Sequence, residues 1–310
     1  MKYTVDSSVS LNKIINKCND GDIIELKAGI YNEKVEIYKN NITIIGESKT
    51  ETIITNNDYY HKIFSDFNEC NTFRTYSVYV GGNNVTFKNL TIENSNNQSH
   101  IYGQAVALHV NGDNFKCEDC IIRSAQDTLF TGPLPKDLIE RHNGLIIKPE
   151  QLLGTPSRQI YKHCTIKGDV DFIFGCATAL FEECDIISVA RHKTGSNNID
   201  GFICAPSHPK ELEYGYLFYK CNLLCESGVT NVYLGRPWRD YGAAAFILCN
   251  MGNHINPEGY DPWNPNRVNT CRFIEYTENI DLNSRKSWIN VYNKEKALKY
   301  VEQFYEYLIK

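Results

Sequence analysis

Between the two ends of the chain the apolar residues fall in short runs broken by Gly, Asn and Asp, such as Ile42-Thr43-Ile44-Ile45-Gly46, Val85-Thr86-Phe87 and Leu180-Phe181-Glu182. Runs of this length bounded by turn residues read as strands. Helical spacing is confined to the termini. Ser8, Val9, Leu11, Ile14 and Ile15 predict a capping helix over 8–18, and residues 294–309 read as a second.

A degenerate pattern recurs along the strands: a large or apolar residue, Cys or Leu three positions on, and an aliphatic residue or Met two positions after that. Its instances are Phe87/Leu90/Ile92, Cys117/Cys120/Ile122, Tyr161/Cys164/Ile166, Phe181/Cys184/Ile186, Phe218/Cys221/Leu223 and Phe246/Cys249/Met251. If each instance is one rung of a solenoid, every inward residue stands above the last. Cys120, Cys164, Cys184, Cys221 and Cys249 then form an internal ladder. The separations run from 20 residues (Cys164 to Cys184) to 44 (Cys120 to Cys164), more irregular than a propeller or leucine-rich repeat. Loops must therefore leave some rungs, which a β-helix tolerates because each coil closes on its neighbour by backbone pairing. An antiparallel β-sandwich is the alternative, disfavoured by the scarcity of two-residue hairpin turns.

Composition adds bounds. A chain of 310 residues, 42% apolar, can bury a sizeable core, and one elongated domain over 1–310 fits that length. A net charge of −5 argues against nucleic acid as partner. The first residues contain no apolar leader and no later stretch is long enough to span a bilayer, so a cytoplasmic protein is expected; the alternative is a secreted one whose leader has been removed. The twelve cysteines include one CxxC, Cys117 to Cys120, and read as small buried residues of a reducing compartment. His100, His109, His163, His192 and His254 show no HExxH or HxH spacing, so no metal and no cofactor is expected.

Four segments carry chemistry: Gln104-Ala105-Val106-Ala107-Leu108, Gln126-Asp127-Thr128-Leu129, Gly168-Asp169-Val170-Asp171-Phe172-Ile173-Phe174-Gly175 and Leu234-Gly235-Arg236-Pro237-Trp238. In sequence and order they resemble the pectinesterase family. Weaker echoes are Gly29-Ile30-Tyr31-Asn32-Glu33 and Gly259-Tyr260-Asp261-Pro262-Trp263. The similarity extends over roughly residues 20 to 290. It implies an all-β, right-handed, single-stranded parallel β-helix with short terminal helices. It also implies hydrolysis of the methyl esters of galacturonate units in pectin or methylated oligogalacturonides, releasing methanol. Methyl-esterified homogalacturonan or its oligomers would be the partner, with no membrane involved and the protein a monomer.

Ester hydrolysis needs a nucleophile, a proton donor for the departing alkoxide and donors aimed at the developing oxyanion. No GxSxG elbow is present. The resemblance makes Asp171 the nucleophile and Arg236 the residue that orients it. An ionised carboxylate in the apolar run Val170 to Phe174 needs such a partner. Asp127 is then the general acid and base, Gln126 an oxyanion donor and Gln104 an oxyanion or substrate donor. Trp238 offers a flat face to a pyranose ring, and Phe174 and Val170 would shape the methyl ester subsite.

Two features depart from the family pattern. A long segment, 132–157, replaces an expected short turn directly after the Asp127 strand, and would border and narrow the cleft in favour of short oligogalacturonides. Tyr260 stands where a Trp is usual. A pectate lyase or polygalacturonase on the same fold is the first rival; a lyase would want acidic calcium ligands, and the chain has no Asp-Asp dipeptide for a glycosidic hydrolase. A binding-only β-helix would have no use for two acids and two amides together.

Overall fold

The computed structural model describes residues 1–65, 69–96, 98–134, 137–138, 157–191 and 198–310. Its strands form three sheets of eleven, eight and seven strands among the described residues, and every strand pairing is parallel. One coil shows the path. Leu108–Val110 lies in the seven-stranded sheet, Phe115–Glu118 in the eleven-stranded, and Ile121–Arg123 in the eight-stranded, after which Leu129–Thr131 returns beside Leu108–Val110. This is the parallel β-helix that the motifs implied.

The sixfold pattern marks one corner of the coil. Phe87, Cys117, Tyr161, Phe181, Phe218 and Phe246 are in register across successive rungs. Ile92, Ile122, Ile166, Ile186, Leu223 and Met251 form the second ladder. Between the two, the chain turns through a left-handed residue: Asn89, Asp119, His163, Glu183, Lys220 or Leu248, with φ from 51° to 55°. The next residue, Leu90 or one of the five cysteines, points inside. There four of the five thiols donate to a carbonyl of the rung before, Cys164 to Cys117 at 3.3 Å, Cys184 to Tyr161 at 3.4 Å, Cys221 to Phe181 at 3.2 Å and Cys249 to Phe218 at 3.3 Å, while Cys120 donates to Glu118 of its own rung at 3.2 Å. A cysteine fits because it is small enough for the corner and satisfies its own weak donor. The ring ladder is stacked face to face, with centroids 4.8 Å apart for Tyr161 and Phe181, 4.7 Å for Phe181 and Phe218, and 4.4 Å for Phe218 and Phe246.

The terminal helices behave differently from each other. Leu11–Lys17 covers the first coil, with Leu11 and Ile15 on the core. Its Asn12 donates to the Lys34 carbonyl and accepts from the Glu36 N–H, closing the open edge of strand Val35–Ile37. Lys294–Ile309 does not cap the far end as expected. Its buried residues Ala297, Val301, Phe304 and Leu308 pack on Leu180, Leu217, Ala245 and Ile247, the outer face of the eleven-stranded sheet. That face is apolar on these rungs, so the helix lies along the flank of the solenoid. No described helix is long and apolar enough to cross a membrane.

Candidate active site

The seven-stranded sheet gathers the four motifs onto adjacent rungs. Gln104 and Gln126 form a parallel bridge, and the Asp127 N–H donates to the Val170 carbonyl at 3.0 Å. Strand Val170–Gly175 pairs with Gly201–Pro206. The N–H groups of Arg236 and Trp238 then donate to Cys204 and Pro206 at 3.0 and 2.9 Å. Side chains from residues 104 to 238 therefore meet in one cleft of about 640 Å³, which Gln104, Gln126, Asp127, Asp171, Phe174, Arg236 and Trp238 all line.

Local backbone aims the two acids. The pairing of Val170 with Phe202 and then of Ile173 with Cys204 leaves one extra residue on the Asp171 strand, a bulge. Asp171 sits there at φ 50°, and its carboxylate emerges while Phe172 and Ile173 enter the core. Asp127 is also left-handed, at φ 63°. Asp tolerates this conformation better than most residues, and such positions cluster at functional sites. Gly168, which opens the motif, is a close approach: a Cβ there would lie 2.2 Å from that of Phe172 and 2.6 Å from the Ala125 carbonyl oxygen.

Arg236 holds Asp171 through two parallel bonds, Nε to Oδ1 at 2.8 Å and Nη2 to Oδ2 at 2.7 Å. The guanidinium is itself sandwiched, 3.7 Å from the Phe202 ring centroid and 4.1 Å from that of Trp263. A planar cation between two aromatic faces has little freedom to leave its carboxylate. Burial raises the Asp171 carboxyl and Arg236 pulls it back, with a net upward displacement. The expected pull of Arg236 is thus present but does not outweigh desolvation. Asp127 has no hydrogen-bond donor on its carboxyl among the described residues. Burial first, and the neighbouring Asp171 charge second, push it well above the ordinary carboxylate range, against a smaller pull from Arg236. The two acids are unequal because one is clamped and the other is not.

Phe174 and Trp238 meet edge to face at 5.8 Å, backed by Phe73 and Phe130, as one aromatic wall. Val170 does not belong to it. It packs with Phe202, Tyr233 and Ile199 outside the cleft lining, because the bulge at Asp171 separates its direction from that of Phe174. Tyr260 is fully buried against Phe273 and away from the cleft, while Trp263 of the same motif reaches it. Of the 132–157 segment, Leu138 lines the cleft. Leu134 and Leu138 join the aromatic wall, and Asp137 accepts two bonds from Arg239 at 2.9 and 2.8 Å. Residues 135–136 and 139–156 lie outside the described residues, and with them the expected narrowing.

Site residues missed from the sequence are Phe202 and Trp263, which face the guanidinium, and Phe73, which backs the wall. Trp263 had a signal in Gly259-Tyr260-Asp261-Pro262-Trp263; Phe202 and Phe73 had none. Among the described residues no group of three His, Cys, Asp or Glu side chains is placed to hold a metal ion. His109 lies behind the aromatic wall, 4.5 Å from Phe130, and burial pushes it down to about 3. His192 lies outside the described residues.

The pectinesterase family model matches residues 3–134 and 150–306. A probable pectinesterase/pectinesterase inhibitor of Arabidopsis thaliana, number 58, is 30% identical over 267 residues, covering 83% of this chain but 41% of that protein. A pectinesterase of Petunia integrifolia is 30% identical over 90% of this chain and 69% of its own length. The chain thus spans about two-fifths of the first of these relatives. Among solved structures, the pectin methylesterase PemA of Erwinia chrysanthemi superposes with a TM-score of 0.78 at 25% identity, covering 96% of this chain and 94% of that one. A pectin methylesterase in complex with a hexasaccharide superposes with a TM-score of 0.75 at 26% identity, covering 94% and 90%. With the fold, the four motifs and the family model in agreement over almost the whole length, this chain belongs to the pectinesterase family.

Proposed function

We propose that the chain is a pectin methylesterase in which Asp171 is the nucleophile and Asp127 the general acid and base. The observation that carries this reading is the inequality of two carboxyl groups in one cleft, Asp171 clamped by Arg236 and Asp127 buried without a donor. Such a pair divides the labour of acyl transfer, one group attacking while the other holds a proton.

An Asp171 oxygen attacks the ester carbonyl carbon, and the carbonyl oxygen becomes an oxyanion within reach of the Gln104 and Gln126 amides. Both side chains are half-buried at the cleft and make no hydrogen bond among the described residues, so their donors are free for it. The intermediate collapses by breaking the bond to the methoxy oxygen, which takes the Asp127 proton and leaves as methanol. The acyl group remains on Asp171 as an anhydride. Asp127, now ionised, removes a proton from water, whose oxygen attacks the same carbon. The bond from that carbon to the Asp171 oxygen breaks, the uronic acid departs and gives its proton to solvent to become the uronate, Asp171 is again a carboxylate and Asp127 again an acid. No step requires a metal or cofactor.

Trp238 and the wall around Phe174 suit the apolar face of a pyranose ring and a methyl group. Methyl-esterified homogalacturonan or its oligomers is the proposed partner of a monomeric catalytic domain over 1–310. A cell-wall polymer as substrate favours the secreted alternative over the cytoplasmic one.

The test is methanol release from highly methylated pectin and from methylated trigalacturonate, without added calcium, by wild type and Asp171→Ala. Release that the substitution abolishes supports the reading. No release from either substrate removes it.

A further inference from the structure

A third carboxylate stands two residues before Asp171. Asp169 is 1% exposed. Its Oδ1 accepts the Val170 N–H at 2.6 Å, and its Oδ2 accepts a short bond from the Ser99 hydroxyl. The Val170 carbonyl in turn accepts the Asp127 N–H, and the Asp169 N–H donates to the Ala125 carbonyl at 3.1 Å. Asp169 is therefore bonded into both rungs that carry the acids. Its other partner, Ser99, opens the helical turn Ser99–Tyr102, which runs through Gly103 directly into Gln104. A carboxylate is costly to bury, and an ordinary turn would keep one at the surface. Here the cost coincides with bonds to two separate segments, one leading into Gln104 and the other into Asp171.

We propose that Asp169 is a positioning residue of this site: it ties the turn leading into Gln104 to the strand that carries Asp171, and its charge acts on Asp127. This rests on the esterase reading above. The charged groups facing Asp127 are Asp171, Arg236 and Asp169; Asp169 itself faces Ser99, the Val170 amide and Arg191. Burial raises the Asp169 carboxyl and the Ser99 hydroxyl, the Val170 amide and Arg191 pull it back; in its ionised form it disfavours ionisation of Asp127 and keeps that acid protonated to higher pH.

Two variants separate the tie from the charge. Ser99→Ala keeps the carboxylate and removes the bond, so amide exchange over 99–104, followed by mass spectrometry, rises about tenfold, the worth of one hydrogen bond to a carboxylate. Its kcat for methanol release falls, with the alkaline limb of the pH profile in place. Asp169→Asn retains shape and bonding capacity, the Ser99 hydroxyl reorienting to accept, but removes the charge. Its alkaline limb moves to lower pH while exchange over 99–104 stays at the wild-type rate. Unchanged exchange in Ser99→Ala overturns the tie, and an unmoved limb in Asp169→Asn overturns the action on Asp127. Should the wild type release no methanol, the esterase reading fails by itself. Exchange then still decides the tie, and a carbon-13 titration of the Asp127 carboxyl in both proteins decides the charge.

Discussion

The backbone N–H of Asp127 donates to the carbonyl of Val170 at 3.0 Å, so one ladder bond joins the strand of the proposed acid to the strand of the proposed nucleophile. The bond sets the spacing of the two carboxyl groups by sheet geometry, not by flexible side chains.

If Asp171 attacks and Asp127 transfers protons, their removal should differ in degree. Asp171→Ala should lower kcat about a thousandfold or more, as loss of a nucleophile does. Asp127→Asn should cost roughly a hundredfold to ten-thousandfold, the range of general acid and base catalysis. Steady-state methanol assays on correctly folded variants measure both; wild-type rates in either would remove that residue from the mechanism.

The pH profile of kcat/KM should be bell-shaped. Asp171 must be ionised and its carboxyl is displaced upward, so activity is lost as pH falls through that raised value. Asp127 must be protonated and is displaced further in the same direction, so activity is lost as pH rises through its value. Arg236→Gln removes the charge that favours ionised Asp171, and the acid limb should move to higher pH. An acid limb that stays in place in Arg236→Gln would separate Asp171 from it.

Oxyanion donors act mainly in the transition state. Gln126→Ala should reduce kcat about a hundredfold to a thousandfold with little change in KM. A loss confined to KM would instead assign this amide to ground-state binding.

Phe202 and Trp263 enclose the guanidinium that orients Asp171. Trp263→Ala should cost about 0.5–2 kcal/mol of that hold, seen as a drop of up to about thirtyfold in kcat/KM. Thermal stability should change little, since Trp263 is 41% exposed.

Phe181 stacks between Tyr161 and Phe218 in the interior, away from the cleft. Phe181→Ala should lower unfolding free energy by about 3–5 kcal/mol. Denaturant titration measures the loss, and specific activity of the folded fraction should be kept.

The inward ladder was legible because a solenoid writes each rung locally: a ring, a corner cysteine and an aliphatic residue recur whatever the loops between them do. The residues Gln104, Gln126, Asp127, Asp171 and Arg236 were legible as motifs in order. Tertiary structure alone decided what depends on stacking distant segments. It brought Arg236 onto Asp171 across 65 positions and set Phe202 behind the guanidinium. It turned Val170 away at the bulge and laid the C-terminal helix on the flank of the eleven-stranded sheet. Strand periodicity states which side of a rung a residue faces, but a bulge resets that count. Which rungs are neighbours, and hence which charges share a desolvated cleft, follows only from closing every coil on the one before.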